Sequence, residues 1–191
     1  MLFKTYKMNK SMSLHDWSKS RKVNSGKKKG DKSNLDALPC NEDIFGIKLF
    51  RAEANSVESK EGEETQSFNP TNLGDGSIVT IITKVSYKKK KVKGTKGINY
   101  QINRDNKKQC EVLRKFCEST GTEIHFDLDK TSSYADVTPA AATLKIKGVN
   151  QTNTFYIKGT FLIKDFEKFK NSYNKGIGMH KSYGCGLIVV L

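Results

Sequence analysis

The 191-residue chain has no apolar run near the roughly 20 residues that a membrane-spanning helix needs. Its opening, MLFKTYKMNK, lacks the apolar segment of a signal peptide, so a cytoplasmic protein with no membrane partner is expected. Acidic residues are in deficit: 20 Asp+Glu stand against 34 Lys+Arg, giving a formal charge of +14 and a pI near 9.6. That imbalance is the footprint of a polyanionic partner, nucleic acid foremost and a membrane surface second. The 4 cysteines (Cys40, Cys110, Cys117 and Cys185) show neither CxxC pairs nor metal-finger spacing. No disulfide and no zinc are expected. Cys110 and Cys117, seven apart in a helical pattern, are expected on one buried face. Apolar content of 36% with mean hydropathy −0.61 leaves room for only a modest core, in one or two domains.

What the chain does have is concentrated at its C-terminus. In GIGMHKSYGCGLIVVL, residues 176–191, Gly176, Gly178, Gly184 and Gly186 bracket Met179, His180, Lys181, Ser182 and Tyr183 before an apolar run suited to a buried strand. Glycine at this density lets backbone N–H groups close on an anion, and Lys181 makes phosphate the natural ligand. The plain alternative is a flexible link between a helix and a strand.

Upstream, 2–8 suits a first strand. SMSLHDWSKSRK reads as a short helix carrying Leu14, His15 and Trp17, and the basic, glycine-broken stretch after it reads as a loop. Its lysines, Lys27, Lys28, Lys29 and Lys32, are either a solvated run or a phosphate-tracking arm. Residues 43–52 form a buried strand, and the acidic VESKEGEETQ that follows is expected to be a surface connection. Residues 77–87 make the strongest strand, β-branched almost throughout. A basic cluster over 88–96, beginning Lys88, Lys89, Lys90, leaves its end. Residues 105–120 are helical, with Asp105 as N-cap, Cys110, Leu113, Phe116 and Cys117 on one face and Gly121 as the stop. EIHFDL is a short strand in which His125 is structural. TLKIKG and FYIKGTFLI form a hairpin carrying Lys145, Lys147 and Lys158. Asp165 caps a helix with Phe166, Phe169 and Tyr173 on its core face, ended by Gly176.

The order over 77–191 is β-α-β-β-α-β, the split-βαβ order of a ferredoxin-like (RRM-like) fold. The expected class is α+β with two such βαββαβ domains: a reduced or irregular one over 1–76, and one over 77–191 that carries the C-terminal glycine-rich loop.

The run IKGTFLIKD (157–165), a ten-residue helix and then GIGMHKSYGCGLI resemble the C-terminus of CasE, the type I-E CRISPR-associated endoribonuclease family. The likeness is dense from Gly159 onward, recognisable from Ser77 and poor over 1–76. It implies a protein that binds a CRISPR repeat RNA hairpin, cleaves at its base and stays on the product with the other Cascade subunits. It implies no metal and no small-molecule cofactor.

RNA cleavage without metal uses the neighbouring 2′-hydroxyl as nucleophile and leaves a 2′,3′-cyclic phosphate. The protein must then supply a proton acceptor or donor, a cation and alignment. The 3 histidines are the natural proton carriers. The resemblance puts the catalytic histidine on the first helix, at His15, where Met12 replaces a tyrosine often found in the family. His180, inside the loop, is the rival. Lys181 is assigned to the scissile phosphate, beside the N–H groups of Gly178 and Ser182. Gly176, Gly184 and Tyr183 complete the loop contacts, with Tyr183 either stacking a base or packing on the sheet. Lys145, Lys147, Lys158, Lys88, Lys89 and Lys90 are expected to hold the RNA backbone, because A-form RNA hides its base edges in a deep, narrow groove. A catalytically inactive RRM-like RNA-binding protein explains charge and fold equally well. A scaffold for a protein partner is disfavoured by the +14 charge.

Overall fold

The computed structural model describes residues 3–9, 37–39, 49–54, 57, 62–65, 68–86, 106–125, 135–139, 154–179, 181 and 184–191. They form two antiparallel sheets. The N-terminal sheet contains β1 (Phe3–Met8), β2 (Ala37–Pro39), β3 (Leu49–Glu53) and β4 (Gly62–Glu64) in the order β2-β3-β1-β4. The C-terminal sheet contains β5 (Ile78–Val85), β6 (Thr122–Ile124), β7 (Ala135–Pro139), β8 (Phe155–Ile163) and β9 (Val189–Val190). Its order is β6-β8-β5-β9, with β7 also paired to β8. Helices α1 (Asn106–Thr120) and α2 (Phe166–Lys175) cover one face of it.

Both sheets follow one plan. β6 pairs with the end of β8 from Phe161 to Ile163 and β7 with its start from Phe155 to Gly159, so together they fill one strand position. The two orders are then the same, and both are ferredoxin-like, the class expected for the chain. The N-terminal copy is reduced where β3 connects to β4: residues 54–61 are too few for the dozen or so that a helical crossover takes.

The C-terminal sheet forms because one central strand, β5, is β-branched almost throughout and the other, β8, alternates inward and outward side chains. In β8, Phe155, Ile157, Gly159, Phe161 and Ile163 point into the core and Tyr156, Lys158, Thr160 and Leu162 point away. Val79, Ile81 and Val85 of β5 join them, and Phe116 of α1 packs on Phe161 with ring centres 5.1 Å apart. Emptying such a position (Phe→Ala) typically costs about 3–5 kcal/mol. α2 starts where Asp165 Oδ1 accepts from the Lys168 N–H at 2.9 Å and Asp75 Oδ1 accepts from the Phe166 N–H at 2.7 Å. It ends at Gly176, whose φ of 67° lies in the left-handed region.

Three expectations need correcting. The acidic connection after β3 includes a strand: Tyr6 of β1 pairs with Glu64 of β4, and Lys4 Nζ meets Glu64 at 2.9 Å. Its side chains stay outside, so the polarity was informative and the backbone pairing was not. Cys110 is exposed and Cys117 half-buried. The buried stripe of α1 runs through Val112, Phe116 and Thr120, and the cysteines stand on its shoulder, about 100° round from Phe116. The last strand is the pair Val189–Val190 rather than the whole apolar run: Leu187 and Ile188 are buried ahead of it, and the Leu187 carbonyl accepts from the Thr83 side chain. TLKIKG, Asp105 and the helix expected over 11–22 lie outside the described residues.

Candidate functional site

Loop 176–188 is fastened by its own main chain. The Ile177 N–H donates to the Gly186 carbonyl at 2.9 Å, closing the neck. Met179 N–H reaches the Ser86 carbonyl at 2.8 Å and Gly186 N–H the Lys84 carbonyl at 2.7 Å, which tie the loop to the end of β5. Thr83 Oγ1 donates to the Leu187 carbonyl at 2.8 Å on the way out.

Two glycines make this possible. Gly178 (φ 67°) passes so close to Ser86 that a Cβ would stand 2.7 Å from its carbonyl oxygen. Gly186 (φ 89°) lies against Ile177 in the same way. Part of the glycine signal is therefore close backbone packing in left-handed conformations.

Lys181 bends back onto the helix it follows. Its Nζ donates to the Lys175 carbonyl at 2.7 Å and the Gly176 carbonyl at 2.9 Å, at the end of α2 where the dipole is negative. Burial pulls its pKa below the ordinary lysine value, and the neighbouring charge of Lys175 adds to the effect. Cys185, in the returning arm of the loop, is fully buried; burial pushes its pKa up to about 11 against a lowering by Lys84.

The loop thus brings Lys181 to Gly176 and Gly184, while Gly178 lies against Ser86. Lys158 is exposed on β8, opposite Ile82, which is itself opposite Val189, so it shares a rung with the last strand. His15, His180, Ser182, Tyr183, Lys88, Lys89, Lys90, Lys145 and Lys147 lie outside the described residues.

Sequence reasoning passed over Arg51. It occupies β3 among buried Leu49, Phe50 and Ala52 and is itself 2% exposed. Its guanidinium leaves the N-terminal sheet for the stems of the loop. Nη1 donates to the Tyr173 carbonyl at 2.5 Å, and Nη2 to the Ile188 carbonyl at 2.9 Å and to Thr5 Oγ1 at 3.3 Å. The signal was available: an arginine inside an apolar strand has to find polar partners, because an unpaired buried charge is too costly.

Solved structures share this architecture. Thermus thermophilus Cse3, bound to an RNA representing a pre-cleavage complex, is 14% identical with a TM-score of 0.64, over 99% of this chain and 98% of that one. Cas6e from Escherichia coli str. K-12 is 15% identical with a TM-score of 0.61, over 100% and 98%. The matching chain of E. coli Cascade bound to a PAM-containing dsDNA target is 14% identical with a TM-score of 0.54, over 100% and 98%. No curated protein matches in sequence. A family model for CRISPR associated protein covers residues 48–191, three quarters of the chain, and includes both loop stems and Arg51. The chain belongs to the CRISPR associated protein family.

Proposed function

We propose that the protein is a metal-independent endoribonuclease of the CasE type, which cleaves CRISPR repeat RNA at the base of its hairpin and stays bound as a Cascade subunit in the cytoplasm. The observation that carries the reading is the end-to-end likeness to T. thermophilus Cse3 in an RNA complex representing the pre-cleavage state. The +14 charge and the braced loop support it. The domains divide at 76/77, between the two sheets.

In this reading the 2′-hydroxyl attacks the adjacent phosphate and leaves a 2′,3′-cyclic phosphate and a 5′-hydroxyl. His15 carries the proton, with His180 as its rival. Lys181 spends two of the ammonium's three N–H groups on the carbonyls of Lys175 and Gly176 and offers the third to the phosphate. Gly176, Gly178, Ser182, Tyr183 and Gly184 line the RNA, while Lys145, Lys147, Lys158 and the lysines from 88 hold its backbone. Affinity then falls steeply with salt, since each neutralised phosphate releases counterions.

The test is incubation with the repeat RNA of the protein's own CRISPR array in EDTA. Cleavage at one site supports the nuclease. RNA that is shifted in a gel but intact supports a binding module instead.

A further inference from the structure

Arg51 joins two parts of the molecule that the chain order keeps far apart. Its strand, β3, is central in the N-terminal sheet. Its partners, the carbonyls of Tyr173 and Ile188, stand at the last turn of α2 and just before β9, which are the entry and exit of the glycine-rich loop. Among the described residues, the loop's main-chain ties to Lys84 and Ser86 at the end of β5 hold it to its own sheet.

The side-chain type matters. A guanidinium is flat, so it can stack on the Tyr173 ring and still direct separate N–H groups to two carbonyls, whereas an ammonium has no flat face to stack. A buried charge is also a poor way to gain stability, since the cost of taking the guanidinium out of water offsets much of what its hydrogen bonds return. Orientation is what this arrangement supplies.

We propose that Arg51 is a positioning residue that clamps both stems of the glycine-rich loop to the N-terminal sheet, so that loop and sheet move as one unit. Resting on the function proposed above, this sets how the phosphate held by the loop is aligned with groups carried between β1 and β2, the stretch that contains His15.

Native-state hydrogen exchange on the full chain tests the clamp without reference to activity. In the wild type the amides of Ile177 and Gly186 open together with those of β3. In Arg51→Lys the Ile177, Met179 and Gly186 amides exchange at least about tenfold faster while those of β8 keep their protection. Independent opening in the wild type overturns the clamp, and so does unchanged loop exchange in the variant. Should Arg51→Lys fail to fold, the wild-type measurement alone decides. With repeat RNA, Arg51→Lys holds its Kd within about threefold and loses at least about tenfold in single-turnover rate. Equal losses in both, or no loss, contradict the positioning role. If the wild type leaves the RNA intact, the nuclease reading fails, and exchange still decides the clamp.

Discussion

The Arg51 guanidinium lies 3.5 Å from the centre of the Tyr173 ring and donates at 2.5 Å to the carbonyl of that same residue. Tyr173 is held from its other end as well: its hydroxyl donates to the Phe68 carbonyl at 3.1 Å, and its ring meets Phe68 edge-on with centres 6.1 Å apart. Helix, loop and N-terminal sheet therefore meet at one buried side-chain pair.

Removing the fork from that pair leaves two carbonyls in the interior without their donors. Arg51→Met is expected to lower unfolding free energy by about 2–4 kcal/mol in urea titrations. That is a large share of a typical domain's stability. A change within about 0.5 kcal/mol would mean that water takes over both carbonyls at little cost.

Glycine substitutions should separate by what each position asks of the backbone. Nothing lies within 4 Å of a Cβ at Gly74, and its φ is not positive, so Gly74→Ala is expected to be neutral or slightly stabilising. Gly76 has equal space but a φ of 85°, and alanine there costs about 1 kcal/mol. Gly178→Ala and Gly186→Ala add a clash with a backbone carbonyl to the same strain and should exceed both. Thermal unfolding of the four variants checks the order.

Much of this architecture was legible because alternation and capping are local signals. β5 announced itself through its nearly continuous β-branched residues, β8 through inward-facing residues at period 2, and α2 through Asp165 at one end and Gly176 at the other. β4 was hidden, since a Gly-Glu-Glu strand exists only because β1 offers it a free edge, a tertiary cause that composition does not carry. β2 and β7, both ending in proline, were unread for the same reason. Of the site, the loop and Lys181 were visible as chemistry, but the turn of Lys181 onto the end of α2 depends on backbone geometry. Arg51 was visible only as an anomaly, and its partners are 122 and 137 residues away.

Cys185 gives the protein an alkaline weakness. Its thiol pKa is raised to about 11 by burial, against 9.0 for an unburied thiol, so between those values the unfolded chain loses the proton and the folded one keeps it. The stabilising contribution is whole below pH 9.0 and is lost as pH rises toward 11, on the order of 2–3 kcal/mol in all. Lysine titration shifts stability over the same range, so the readout is the difference from Cys185→Ala, whose curve should fall less steeply. Parallel curves would show the thiol to be unperturbed.

Under the proposed mechanism, Lys181→Met removes a cation from the phosphate as well as a donor from two helix carbonyls. Single-turnover cleavage should fall about 10²- to 10³-fold with a much smaller change in RNA affinity. Because burial lowers the Lys181 pKa, the charged form disappears as pH rises through a value below the ordinary 10.5, and the wild-type rate should decline there. His15→Ala is expected to cost about 10²- to 10⁴-fold. If His15→Ala cuts at the wild-type rate while His180→Ala is dead, the proton passes through the loop instead.

The central claim is that the RNA supplies its own nucleophile. Its most direct test replaces the single 2′-hydroxyl beside the cut by hydrogen in the repeat RNA and follows binding and cleavage together in EDTA. Unchanged binding, complete loss of cleavage at that position and a 2′,3′-cyclic phosphate on the unmodified product are predicted. Cleavage of the 2′-deoxy RNA at the same bond would contradict the account.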